Sequence, residues 1–408
     1  MKYHFASRMD VNSSDEWSPL WQHGQMQREK MISFADEWFE NDCYALEALY
    51  MIMHQVLQEH IHPLLDIPIE GDKAVRQAIM RQLLRDQALQ GQGEHTMLTA
   101  GRQQTIELFA RVILEPGDVV CVENPIPPAL LQVIQMSGAQ AIVIQSDSHG
   151  MIPEDIEAQF KLHHPKFVYV VPSSESVAGR IWSKERRVSL LKLCKAYHAL
   201  ILEDDPEGEL GVLDSPIPRI AEIEGIADDR IVVYTSSFGK GVVPGLQLGF
   251  IAADERVISQ LKRMKQRSGA CSSVWEQMIL KVLLTPEKQG INQQLKQLTQ
   301  RSQACMDIIE EHLQKKPAWQ LMSKHRSQGG MYYRIGLPSG LNAQSVLRCA
   351  WAKHTLFVPE MYIDKQATTE QTRQYIRLSC TLSDPELIHR GMEHLSEAVN
   401  EFLGRYSQ

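Results

Sequence analysis

Long apolar runs are missing from this chain. No stretch of its 408 residues approaches the length of a membrane span, and the amino-terminal MKYHFA has no apolar signal-peptide core. Positive charge is short as well. The 42 Lys and Arg stand against 50 Asp and Glu, and the net charge of −8 argues against a nucleic-acid binder working through a basic surface. The seven cysteines are scattered, odd in number and without a CxxC pair. They exclude a disulfide frame and a zinc site, and read as reduced thiols of a cytoplasmic protein. Short-period repeats and low-complexity tracts are absent too. The remaining expectation is a small-molecule protein, with no nucleic acid, no metal and no membrane among its partners.

What is present is a globular composition, 43% hydrophobic and 23% charged, at a length that one core rarely serves. Residues 1–35 are polar and irregular. Helical spacing follows over residues 46–60 and 73–88. From residue 99 the pattern alternates. Apolar strand runs fall at 118–123, 141–145, 167–171, 199–203, 231–234 and 248–252, with helical periodicity over 103–114, 129–136, 154–162 and 183–197. Continuous Val/Ile/Leu strands separated by helices predict an α/β fold, with a largely parallel sheet covered on both faces. Ser183 is the expected N-cap of its helix, with Val188, Leu191 and Cys194 as the buried stripe. Beyond residue 285 a long helix (291–314) leads into strands at 319–322, 331–335, 356–358 and 375–379 and helices at 343–352 and 385–403, a smaller α+β domain. The domain reading is 1–70 for an arm and contact region, 71–285 for a large domain and 286–408 for a small one.

Five stretches carry chemistry. In YTSSFGKGVVPGLQLG (234–249), Lys240 lies on a small-residue turn after a strand. An amine held there can form a Schiff base with a carbonyl cofactor such as pyridoxal 5'-phosphate (PLP). A lone lysine of this kind is more often a solvated loop residue. TAGRQQT (99–105) lies at a loop-to-helix junction, where free N–H groups suit a phosphate, although it could be an ordinary helix start. ILEDDPEGEL (201–210) places acids at a strand end, where caps and solvated charges are the plain alternative. PSSESVAG (172–179) reads as a turn, and YIRLSC (375–380) as a strand bearing Arg377.

These stretches resemble, in order and spacing, the class I and II aminotransferases, the fold-type I PLP enzymes that include aminoadipate and aromatic aminotransferases. The lysine stretch is similar to S-F-S-K-x-x-x-P-G-L-R-L-G, with Gly239 for a serine and Gln247 for the arginine. Residues 99–105 resemble T-x-G-S-Q-Q-A-L, 172–179 Q-N-P-T-G, 201–210 E-D-D-P-Y-x-x-L, 329–334 G-G-M-F and 375–380 I-R-L-S-F. The resemblance implies a fold-type I architecture, with a seven-stranded-type sheet in the large domain, and PLP as cofactor. It places Gly101, Arg102, Gln103, Ser237 and Gln247 at the cofactor, with Arg102 supplying the charge lost at Gln247. Pro127 stands at the ring-face position. Ser176 and Glu207 replace the asparagine and tyrosine that serve the phenolic oxygen, and Asp66 replaces a tyrosine that reaches the neighbouring subunit's phosphate. Lys240 and Asp204 are the implied catalytic pair, Asp204 opposite the pyridine nitrogen, and Arg377 the clamp for the substrate α-carboxylate. The implied activity moves an amino group between an amino acid and a 2-oxo acid, in a cytoplasmic homodimer. The altered residues leave open another PLP reaction (decarboxylation, elimination or racemisation), or a degenerate fold acting as sensor or interaction subunit.

Overall fold

The computed structural model describes residues 30–36, 38–40, 44, 46–59, 68–83, 93–124, 126–173, 181–206, 217–225, 229–239, 245–269, 271–284, 290–320, 322–326, 331–337, 341–364 and 371–406. They fall into two compact units. One spans 44–295; the other comprises 296–408 with the described part of 12–43. The divisions thus lie at 43 and 295, where the sequence pattern placed them at 70 and 285.

The first unit is built on a seven-stranded sheet. Its strands are β1 (Thr96–Thr99), β2 (Val119–Val122), β3 (Gln140–Val143), β4 (Phe167–Val170), β5 (Leu200–Asp204), β6 (Val232–Ser237) and β7 (Gly249–Ala252). The spatial order is β1-β7-β6-β5-β4-β2-β3, and only β7 runs antiparallel to its neighbours. Alternation along each strand divides the apolar side chains between two cores. Val120, Val122, Phe167, Leu202, Val233 and Ile251 meet the helices Gly101–Ile113, Pro128–Met136 and Glu255–Ser268. On the other face, Cys121, Val168, Val170, Ile201 and Val232 meet the helices Pro153–His163 and Lys184–Tyr197. Burial on both faces explains why these strands read as unbroken Val/Ile/Leu runs.

Ser183 caps its helix, accepting from the Arg186 N–H at 3.2 Å. The buried stripe of that helix is Arg187, Leu190, Leu191 and Cys194, so Arg187 takes the place expected of Val188. β1 and the helices Glu255–Ser268 and Val274–Leu283 add to the sequence reading; the two helices are capped by the side chains of Asp254 and Ser273. The expected helix at 73–88 is described over Lys73–Leu83.

The second unit has a four-stranded antiparallel sheet of β8 (Ser323–Arg326), β9 (Tyr332–Gly336), β10 (Val358–Asp364) and β11 (Gln371–Ser379), in the order β8-β9-β11-β10. Tyr333, Ile335, Ile376 and Leu378 point from one face into a core with the helices Gly290–Lys315, Ala343–Ala352 and Pro385–Tyr406. Ile32–Ser33 pairs in parallel with Thr355–Leu356. The described residues of 319–322, where a strand was expected, form none. Pro317–Trp319 is a 3₁₀ turn that buries Trp319, whose Nε1 donates to Ser396 Oγ at 2.9 Å, and the strand begins at Ser323. Among the described residues, no helix is long and apolar enough to cross a membrane, and no cluster of His, Cys, Asp and Glu could hold a metal ion.

Candidate active site

Three acids in a row end β5 and are sorted by strand alternation. Asp204 shares the face of Leu202, toward the helix Gly101–Ile113. Glu203 shares the opposite face with Ile201, toward the helix Lys184–Tyr197. Asp205, just past the strand, accepts from Tyr234 OH at 2.8 Å and pairs with Arg219 Nε at 3.0 Å.

Asp204 is fully buried. Its Oδ2 accepts from the Tyr169 hydroxyl and pairs with Arg102 Nη1. Burial, with the Asp204 charge behind it, holds the Tyr169 phenol well above its ordinary pKa, so Tyr169 stays a neutral donor. Asp204 Oδ1 is buried with no hydrogen-bond partner among the described residues. A buried carboxylate oxygen without a donor costs about 1–3 kcal/mol, and marks a position for a donor that the described protein does not supply.

An anion cradle lies on the same edge of the sheet. The helix Gly101–Ile113 begins after Ala100, which offers no capping side chain, and its first residue, Gly101, has φ +82°. The turn is fixed from within by Thr99 Oγ1 to Thr105 Oγ1 at 2.7 Å and Ala100 N to Gln104 Oε1 at 2.8 Å. First-turn N–H groups without a cap side chain favour a phosphate. Gln247 flanks this turn: a Cβ on Gly101 would lie 3.5 Å from its Oε1. Gln103 is exposed on the first turn of the helix. Ser237 ends β6 and stands opposite Gly249, which stands opposite Thr99. Pro127 opens the helix after β2. All of these lie at the carboxyl edge of the parallel strands, where open α/β sheets bind ligands.

Gly249 makes the closest approach. A Cβ there would lie 2.7 Å from the Gly101 carbonyl carbon, 2.9 Å from Thr99 Oγ1 and 3.0 Å from the Arg102 nitrogen. Two of these atoms are backbone of the cradle and cannot swing aside. Gly249→Ala therefore displaces the turn at 101–102; if the phosphate of PLP is held there, its binding weakens by roughly tenfold or more, the equivalent of ~1.4 kcal/mol. Fluorescence titration of PLP checks this; unchanged affinity would place the phosphate elsewhere.

The structure brings Gly101, Arg102, Gln103, Asp204, Ser237 and Gln247 to one sheet edge. It turns Arg102 toward Asp204, where the sequence assigned its charge to the phosphate beside Gln247. Arg377 lies in the second unit on β11, paired with Glu360 at 3.2 Å and stacked on Tyr332. Lys240, Ser176, Glu207 and Asp66 lie outside the described residues. Sequence reasoning missed Tyr169, Arg187 and Glu360. The available signal for Tyr169 was a polar hydroxyl in the fully apolar strand run Phe-Val-Tyr-Val, which must find a partner when buried.

A buried aspartate whose Oδ1 has no partner among the described residues lies near a helix N-terminus, at the carboxyl edge of a sheet with one antiparallel strand; this arrangement could hold a phosphorylated cationic ring. The described residues suit a phosphorylated pyridine: Asp204 Oδ1 is buried with no partner among them, and the first turn of the helix Gly101–Ile113 has no capping side chain. Comparison with known proteins agrees. A family model for aminotransferase class I and II matches residues 64–395, and the chain belongs to that family. It is 26% identical over 379 residues to aromatic-amino-acid aminotransferase 1 of Thermococcus litoralis, covering 91% of this chain and 88% of that one. It is 26% identical over 310 residues to the 2-aminoadipate transaminase of Thermus thermophilus, covering 76% of each. A solved kynurenine aminotransferase of Pyrococcus horikoshii, in complex with PMP, superposes with a TM-score of 0.85 at 25% identity, over 98% of this chain and 97% of that one. Amino-group transfer is the activity this membership assigns to the protein.

Proposed function

We propose that the protein is a PLP-dependent aminotransferase acting on an amino acid and a 2-oxo acid, with Lys240 as its cofactor lysine. The observation that carries this reading is the buried Oδ1 of Asp204, which has no hydrogen-bond partner among the described residues. The helix N-terminus at Gly101, with Arg102 and Gln103, would hold the phosphate, supported by Ser237 and Gln247. Asp204 would hold the ring nitrogen, and Pro127 would lie against the ring. Ser176 and Glu207 would face the phenolic oxygen. Bound PLP would supply the electron sink that lets a proton leave the substrate Cα. The Lys240 amine would carry that proton between Cα and the cofactor's C4′, while Arg377 would orient the α-carboxylate through its fork of donors.

Two further features support the wider reading. Tyr50, Met51, Met53 and Leu57 on the helix Leu46–Glu59, and Trp275 on Val274–Leu283, are exposed apolar side chains. Covering them favours a homodimer, which would sediment at twice the chain mass. The six described cysteines are unpaired, which supports a reducing, cytoplasmic setting; fractionation of the source cells checks it.

The deciding experiment is borohydride reduction of the PLP-loaded protein, followed by peptide mapping and amino-donor screening. Phosphopyridoxyl label on Lys240, with 2-oxo acid formed from an amino donor, is the expected result. Label elsewhere, or none at saturating PLP, would overturn the reading.

A further inference from the structure

The polar face of the second unit's sheet contains an arrangement that family membership does not explain. Antiparallel pairing of β9 with β11 sets Arg334 directly opposite Arg377. Two like charges at opposed positions repel. A third residue stands between them: Glu360 on β10, whose Oε2 accepts from Arg334 Nε at 2.8 Å and whose Oε1 lies 3.2 Å from Arg377 Nε. The Arg334 contact is an aligned hydrogen bond. The Arg377 contact is an ion pair whose N–H does not point at the oxygen. The Arg377 guanidinium carbon lies over the Tyr332 ring, 4.7 Å from its centroid. The side chains of Arg334, Glu360 and Arg377 are 4%, 12% and 16% exposed, so solvent screens this cluster weakly.

From this geometry we infer that Glu360 is a resident carboxylate that attenuates the affinity of Arg377 for the substrate carboxylate. The inference rests on Arg377 being the substrate clamp, as proposed above. Glu360 places one negative charge beside Arg377, where a bound carboxylate would place another. Removing the Glu360 charge makes the surroundings of Arg377 more positive by one unit. Arg334 sets how strongly Glu360 acts, because it engages the second oxygen of the same carboxylate. The amino acid and the 2-oxo acid both carry the α-carboxylate. A change in the cluster's charge therefore moves both affinities together, which is uniform binding: KM shifts and kcat does not.

The test uses two substitutions with opposite expected signs. Glu360→Gln keeps the shape and an acceptor for the arginines but removes the charge. It lowers KM for amino acid and 2-oxo acid alike by roughly tenfold, with kcat altered less than about threefold. Arg334→Gln removes one positive charge beside Glu360 and Arg377 and raises both KM values by a similar factor. Propanoate, a carboxylate with no amino group to react, reports the same shifts in Kd when titrated into the PLP-loaded protein and followed by ligand-observed NMR. That readout needs no turnover. Raised KM and Kd in Glu360→Gln would show that Glu360 orients Arg377 instead, and unchanged values with altered thermal stability would leave it a purely structural partner; either outcome overturns the inference. Arg377→Lys separates the two levels. If it leaves propanoate binding unmoved, the carboxylate role of Arg377 is wrong. If it weakens binding while the Glu360 and Arg334 variants do not, only the inference falls.

Discussion

Asp204→Asn lowers kcat/KM by about 10²- to 10³-fold, the loss seen when one preorganised electrostatic partner of a developing charge is removed. The amide has the shape of the carboxylate and can still accept from Tyr169, so a packing defect is not the cause. What disappears is the negative charge. A neutral amide cannot favour a protonated ring nitrogen, and an unprotonated ring is a poorer electron sink. A second effect has the same origin. The ion pair of Arg102 Nη1 with Asp204 becomes a weaker contact with a neutral amide, which leaves more of the Arg102 charge to act on an anion at the adjacent helix N-terminus. PLP affinity therefore falls less than turnover does. Steady-state kinetics beside a PLP titration separates the two. Asp204→Asn with wild-type kcat would remove Asp204 from the ring-nitrogen role.

The legible parts of this chain were those written in periodicity and local motif. The central strands were readable because burial on both faces demands continuous apolar residues. β1, Thr-Met-Leu-Thr, was not, because its flanking threonines break the run. Hydrophobicity misled at Trp319, where apolar residues fill the core from a 3₁₀ turn while the neighbouring strand, Ser-Lys-His-Arg, is polar and at the sheet edge. Asp204 could be placed from its strand-end motif. The ties of Asp204 to Tyr169 and Arg102 could not, since 35 and 102 positions separate the partners in sequence. The same holds for Glu360, which reads as one acid after a proline until strand pairing sets it between two arginines.

The largest stability effect is expected at Arg187→Met, a loss of about 3–5 kcal/mol, because several buried acceptors lose a donor at about 1–3 kcal/mol each. Arg187 is 1% exposed on the buried face of its helix. Its Nε donates to the Trp182 carbonyl at 3.2 Å, Nη1 to Ser173 Oγ at 3.0 Å and the Pro218 carbonyl at 3.1 Å, and Nη2 to the Pro172 carbonyl at 2.7 Å. Methionine fills the space and leaves all four acceptors without this donor. The cost depends on pH through Glu203, which is buried against the same helix face and accepts the N–H groups of Ile220 and Ala221, both at 2.9 Å. Burial pushes the Glu203 carboxyl up to about 7, against the opposing pull of the Arg187 charge. A raised carboxyl contributes stability that is complete below its unfolded value near 4.5 and is lost as pH rises through about 7. Without Arg187 the folded value climbs further, and ionised Glu203 has lost a compensating charge. The penalty of Arg187→Met is therefore larger at pH 8 than at pH 5, and Glu203→Gln in the same background removes the difference. Urea unfolding at the two pH values measures both; a pH-independent penalty would disconnect Glu203 from Arg187. Through these bonds Arg187 ties Pro172 and Ser173, just past β4, to Trp182 before the next helix, so the local loss of order is expected to centre on this pair of chain segments.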